Sequence, residues 1–288
     1  AYEIISSLVG SEMCIRDREN GGGIISIADL EDYESKWRKP IMGDYRGYKL
    51  VSMPPPSSGG VLLVQMLNML EPYDLGKLGV GSSEVIHLMI EAERRAYADR
   101  AEHLGDSDFY DVPIETLISK DYARERFLDF DPNKASVSAD IFAGVAAKEG
   151  LETTHASVID AMGNAVAYTT TLNLSYGSKI VVSGAGFLLN NEMDDFSAKE
   201  NSPNAFGLLG REANAIEPGK RMLSSMTPTI ILKNEKPLLV TGSPGGSTII
   251  TTVLQIVSNV IDHEMNLEEA VSAGRFHHLS LIHITEPT

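Results

Sequence analysis

Apolar residues recur at helical spacing through the first half of the chain and at every second position in much of the second half. "SIADLEDYESKW" (26–37) predicts a helix opening near Ser26 or Asp29, and "YRGYKLVSM" (45–53) a strand after it. "PPPSSGG" (54–60) is a rigid turn into "VLLVQMLNML", an apolar run of helical character. From about 83 to 104 a long amphipathic helix is expected. Val85, Ile86, Met89, Ile90 and Tyr97 form its apolar stripe, and Glu91, Arg94, Arg95 and Asp99 lie largely away from it. "PIETLISKDYARERF" (113–127) predicts a further helix introduced by Pro113, and the polar, Ala/Gly-rich residues 130–152 read as a linker.

Beyond the linker the period becomes two. "TTHASVID" (153–160) and "AVAYTTTLN" (165–173) flank Ala161-Met162-Gly163, where Gly163 suits the left-handed position of a three-residue hairpin loop. That turn pairs Asp160 with Asn164 and, counted outward, sets Thr153 opposite Thr171. "TPTIILK" and "KPLLVTGS" read as strands, and "PGGS" leads into the helix "TIITTVLQIVSNVID". Helices first, then strands, then helices again predict a layered α+β or α/β domain.

Composition narrows the function classes. The 288 residues suit one large domain or two small ones, and a net charge of -16 argues against a nucleic-acid partner. No apolar run is long enough to span a membrane, and the first residues do not read as a secretory signal peptide. A single cysteine, Cys14, excludes a disulfide framework and a cysteine-based zinc site. The seven histidines are scattered apart from His277-His278, so a metal site is not expected, and no cofactor is expected either. Both ends, "LVGSEMCIRDR" and "LSLIHITEPT", match neither flanking pattern and resemble translated sequencing-library adapter. Residues 1–19 and 279–288 are accordingly expected to be non-native, and Cys14 then carries no redox information.

The run "KEGLETTHASVID" offers a specific chemistry. A threonine at a chain's first position is nucleophile and base in one residue, since its α-amine accepts the proton of its own attacking hydroxyl. Mid-chain, Thr153 lacks that amine. It would gain one if its hydroxyl attacked the carbonyl of Glu152 and the resulting ester were hydrolysed. Taken alone, Thr-Thr-His is an ordinary strand start.

"GDYRGYKLVSMPPPSSGG", "TTHASVID", "TLNLSYGS", "LLNNEMDDFS", "RMLSSMTPTI" and "VTGSPGGSTIITTVLQIV" occur in one order. Together they resemble the γ-glutamyltransferase family of N-terminal-nucleophile hydrolases over roughly residues 20–278. The resemblance implies an α+β fold, a four-layer αββα sandwich. It also implies cleavage between Glu152 and Thr153, with 20–152 the C-terminal part of a large subunit and 153–278 the N-terminal part of a small one. Thr153 falls on the family's nucleophile and Thr171 on the second threonine, which assists its activation. Gly245 and Gly246 match the oxyanion-binding pair, in a strand-to-helix turn whose glycines let backbone N–H groups approach closely. Asn173, Glu192 and Asp195 match the ligands of the donor's α-ammonium, and Ser224 and Ser225 the hydroxyls that bind its α-carboxylate.

The implied activity is γ-glutamyl transfer from glutathione or a related amide to water, an amino acid or a peptide. No metal and no nucleic acid take part, and relatives are periplasmic or extracellular. The match has gaps. The family's carboxylate-binding arginine falls outside this chain, and Phe206 stands where relatives with a lid loop usually carry tyrosine. The 288-residue chain alone is therefore expected to be aggregation-prone and to show little transfer. Two rivals stay open: a cephalosporin or glutaryl acylase of the same superfamily, and a non-catalytic fragment that folds without processing.

Overall fold

Two tight hairpins build the main sheet of the computed structural model, which describes residues 27–136, 153–181, 186–197, 204, 208 and 210–278. Strands β1 (Ile41–Tyr45) and β2 (Tyr48–Ser52) turn on Arg46 and Gly47, with φ of 48° and 81°. Strands β5 (Thr229–Lys233) and β6 (Lys236–Thr241) turn on Asn234 and Glu235, with φ of 52° and 61°. A pair of positive φ values is the type I′ geometry whose twist matches that of the strands it joins. Antiparallel pairing of β2 with β5, with Leu50 opposite Ile231, gives the order β1-β2-β5-β6.

Helices cover one face of this sheet. Helix α2 (Gly59–Leu70) is buried at every position and packs against β1 and β2, while α4 (Ser83–His103) and α7 (Thr248–Ile261) flank it. Helix α4 opens on Ser82, whose hydroxyl accepts the Val85 N–H at 3.2 Å. Of the short helices α1 (Ile27–Glu31), α3 (Leu75–Leu78), α5 (Ile114–Leu117), α6 (Lys120–Arg126) and α8 (Leu267–Ser272), all but α1 pack against these three. Against β5 and β6 lies a second sheet, the hairpin β3 (Thr154–Ile159) and β4 (Ala165–Thr170). The layers run helices, sheet, hairpin, an α+β arrangement. Among the described residues nothing covers the outer face of the hairpin, where Val158 and Val166 are more than half exposed.

Three expectations need correction. The segment expected as one strand from Tyr45 is a hairpin, because Arg46 and Gly47 both take positive φ and reverse the chain. The helix expected over 26–37 stops at Glu31. Lys36 and Arg38 instead pair with Asp108, at 2.8 Å each, which draws the chain out along that loop. The helix expected over 113–127 divides, because Ser119 accepts the Tyr122 N–H at 3.1 Å and so caps a new start.

The polar side of α4 faces protein rather than water. Glu91 accepts from Arg94 at 2.9 Å, Arg95 at 2.6 Å and the Ser136 hydroxyl at 2.5 Å. Asp99 accepts from Gln65 at 2.5 Å, Tyr122 at 3.0 Å and Arg126 at 3.1 Å. Burying a charge is costly unless it is paired in this way. Burial alone would raise the Glu91 carboxyl, yet Arg95, Ser136 and Arg94 hold it below its ordinary value. Cys14, Glu152, Phe206 and both suspect ends lie outside the described residues.

Candidate active site

The hairpin register is the one expected from its turn. Thr154 pairs with Thr170, Ile159 with Ala165, and the Asp160 N–H donates to the Asn164 carbonyl at 3.0 Å. One step outward, the same register sets Thr153 against Thr171 at the open end. Thr153 stands there with φ of 104°, a region that β-branched residues avoid. His155 ties this end of β3 down. Its ring bonds the Thr169 and Ser157 hydroxyls at 2.8 and 2.9 Å and lies where a side chain on Gly242 would be.

After Thr171 the chain turns sharply. Asn173 takes φ of 71°, its N–H donates to Thr171 Oγ1 at 2.9 Å, and its Nδ2 donates to the Asn191 carbonyl at 3.1 Å. These bonds bring the 3₁₀ turn Glu192–Asp195 to the end of the hairpin. Asn173 Oδ1 and Glu192 Oε1 are buried there with no hydrogen-bond partner among the described residues. Burial and the neighbouring Asp195 push Glu192 up to about 8, while the Asn173 backbone N–H pulls it down. Burial likewise pushes Asp195 up to about 7. Arg100 and the Asn204 amide, which donates to Asp195 Oδ1 at 2.8 Å, oppose that rise, and Asp194 adds to it. Two acidic groups thus share a site that favours a cation between them.

Ser224 and Ser225 run beside the Pro-Ser-Ser turn. The Ser224 N–H donates to the Pro56 carbonyl at 2.8 Å, and the Ser224 carbonyl accepts from the N–H and hydroxyl of Ser58 at 2.9 and 2.8 Å. Ser224 Oγ accepts the Met226 N–H at 3.0 Å. Gly245 and Gly246 precede α7 with φ of 124° and 56°. Their carbonyls accept from Thr248 and Ile249 in the first turn, at 3.0 and 3.3 Å, whereas neither glycine N–H makes a hydrogen bond among the described residues. Tyr97 on α4 steadies this loop by donating to the Ser247 carbonyl at 2.6 Å.

These segments meet. Thr153, Thr171, Asn173, Asp195, Ser224, Ser225 and Gly246 line one pocket, closed by the apolar Leu208, Met226 and Ile249. Gly245 adjoins it through Gly246, and Glu192 through its interactions with Asp195 and the Asn173 N–H, without either being part of its wall. Among the described residues no group of three or more His, Cys, Asp or Glu side chains could hold a metal ion. Three residues beside the pocket have no counterpart in the sequence reading: Ser58, Tyr97 and Arg100. Ser58 sat inside a segment read as a turn, Tyr97 in the apolar stripe, and Arg100 on a helix whose polar residues were placed only away from that stripe.

The fold is that of the N-terminal-nucleophile hydrolases. It superimposes on a cephalosporin acylase from Bacillus halodurans with a TM-score of 0.73 at 25% identity, over 90% of this chain and 45% of that one. The particular family follows from the sequence: the chain belongs to the gamma-glutamyltranspeptidases, whose description matches residues 10–286. It is 54% identical to the glutathione hydrolase proenzyme of Escherichia coli K12, over 93% of this chain and 46% of that protein. The Pseudomonas aeruginosa glutathione hydrolase proenzyme is 46% identical over 93% of this chain and 48% of its own length. An acylase ACY 1 proenzyme of Pseudomonas sp. SE83 is 43% identical over 88% of this chain and 43% of its own. The chain thus spans about half the length of the curated relatives it matches.

Proposed function

We propose that this chain carries the nucleophile and donor pocket of a glutathione hydrolase that transfers γ-glutamyl groups through an acyl-threonine. Cleavage after Glu152 would free the Thr153 amine, which takes the proton of the Thr153 hydroxyl as Oγ attacks the donor's γ-carbonyl. Thr171, whose Oγ accepts the Asn173 N–H, keeps its own hydroxyl proton for Thr153. The oxyanion that forms is met by the N–H groups of Gly245 and Gly246, both without an acceptor among the described residues and at the positive end of α7. The amine hands its proton to the departing amide nitrogen. Water or an amino acid then attacks the ester and releases the enzyme.

Asn173, Glu192 and Asp195 hold the donor's ammonium, and the Ser224 and Ser225 hydroxyls its carboxylate. The observation that carries this reading is the one pocket in which Thr153, Asp195, Ser225 and Gly246 converge from four distant segments. A second reading, acylase activity, draws on the ACY 1 relative and the Bacillus halodurans structure. The Glu192–Asp195 pair weighs against it, because a substrate without an ammonium leaves two buried acids without a cation. A protein of the relatives' full length carrying this chain should hydrolyse γ-glutamyl-p-nitroanilide at least tenfold faster, in kcat/KM, than glutaryl-p-nitroanilide, which lacks the α-amine. Equal or inverted rates would favour the acylase.

A further inference from the structure

We propose that Arg100 is a positioning residue for this pocket, fixing the Ser225 hydroxyl and setting a permanent positive charge behind Asp195. The inference rests on the donor-pocket reading. Arg100 is only 3% exposed. Its Nε donates to Ser58 Oγ at 3.0 Å and its Nη2 to Ser225 Oγ at 3.4 Å. The other buried arginines of α4, Arg94 and Arg95, each pair directly with Glu91. Arg100 has no carboxylate within ion-pair distance among the described residues, although a buried cation without a counter-ion is costly to keep.

Its surroundings show what the charge does. A hydroxyl that accepts from a guanidinium becomes a stronger donor, and its own proton is left for another acceptor. Ser225 is so placed on the pocket wall, while Ser58, bonded to both Arg100 and the Ser224 carbonyl, locks the two serines to one cation. The charged groups that face Asp195 are Arg100 from α4 and, from its own turn, Asp194 and the neighbouring Glu192. Burial and the Asp194 charge disfavour the Asp195 carboxylate, and Arg100 supports it. Burial lowers the Arg100 pKa itself, with Tyr97 and Asp195 opposing that change. A guanidinium nevertheless stays protonated at any physiological pH.

The test uses Arg100→Met, Arg100→Lys and Arg100→Gln in a protein of the relatives' full length. Carbon-13 NMR titration of the Asp195 carboxyl, assigned with Asp195→Asn, requires no turnover. Arg100→Met should raise the Asp195 pKa by about one, which is about tenfold in ionisation, and Arg100→Lys should largely restore it. The acid limb of kcat/KM for γ-glutamyl-p-nitroanilide should move up by the same amount, chiefly through KM. Arg100→Gln keeps a hydrogen-bonding side chain without charge and serves should the methionine variant not fold; it should give the same rise. An unmoved Asp195 titration in a folded neutral variant overturns the proposal. A moved titration in a protein inert toward γ-glutamyl donors would uphold Arg100's action and overturn the donor reading instead.

Discussion

Replacing Asp195 by Asn tests the ammonium site through its pH dependence rather than through loss alone. The substitution keeps the shape and keeps Oδ1 available to the Asn204 amide, which donates to it at 2.8 Å. It removes only the charge. A charge-assisted hydrogen bond is worth about 1.5–3 kcal/mol, so kcat/KM for a γ-glutamyl anilide should fall about 10- to 150-fold where Asp195 is fully ionised. Asp195 titrates at about 7, so it is nearly all charged at pH 9 and only about a tenth charged at pH 6. The gap between parent and variant should therefore narrow about tenfold on going from pH 9 to pH 6. Removing the Asp195 charge also lets Glu192 ionise at lower pH, which flattens the variant's profile further. The Thr153 amine, the base of the reaction, is common to both proteins, so its ionisation cancels in their ratio. The assay is initial-rate hydrolysis from pH 6 to 9, repeated with glutaryl-p-nitroanilide, for which the variant should lose little. A ratio that stays constant with pH, or an equal loss on both substrates, would refute an ammonium role for Asp195.

Three further outcomes are expected of a protein of the relatives' full length carrying this chain. Thr153→Ala should remain one polypeptide on a denaturing gel while the parent yields two, the smaller beginning at Thr153 by Edman degradation; a correctly cut variant would sink the nucleophile assignment. Gly242→Ala places a methyl group in the His155 ring and should cost about 1–3 kcal/mol. Amide exchange across β3 and β4 should then quicken while the β2–β5 ladder stays protected, and an unchanged melting temperature would count against the packing argument. Glu91→Ala removes the buried carboxylate that Arg94 and Arg95 share, although Arg95 keeps Asp129 at 2.8 Å, and urea unfolding should show a loss of about 3–5 kcal/mol at pH 7. Because its partners lower the folded pKa of Glu91, the parent's advantage is present above about 4.5 and fades as the pH falls through the folded value. A loss under about 1 kcal/mol would mean the pair is dispensable.

Legibility followed locality. The β3–β4 register could be read because a single turn fixes it, and the extent of α4 because its apolar stripe marks it. The β2–β5 pairing joins Leu50 to Ile231 across most of the chain, and no local pattern encodes that partnership. Arg46 at positive φ was missed because arginine carries no turn preference of the kind that marks Asn234 in the other hairpin. In the site, residue identities came from a motif order, and the structure places seven of them around one pocket. Their electrostatics were illegible. The rise of Glu192 and Asp195 comes from burial by neighbours distant in sequence, and Arg100 resembled any polar residue on an amphipathic helix.

Helix α4 connects these features. Its polar residues point to different sides because the helix is buried nearly all round: Glu91 toward Ser136, Tyr97 toward Ser247, and Arg100 toward Ser58 and Ser225. From Glu91 to Arg100 the axis advances about 14 Å at about 1.5 Å per residue, so one rigid rod spans all three contacts. Ser136 lies before Thr153 in the chain, whereas Ser225 and Ser247 lie after it. The proposed cleavage would therefore leave α4 in one piece and two of its polar partners in the other. The β2–β5 ladder, the packing of α2 on α7, and the Lys49–Glu235 pair at 2.7 Å also cross that boundary. Cutting the chain at Thr153 would then free an amine without separating the pieces, since the contacts that bind them are the same ones that position the pocket.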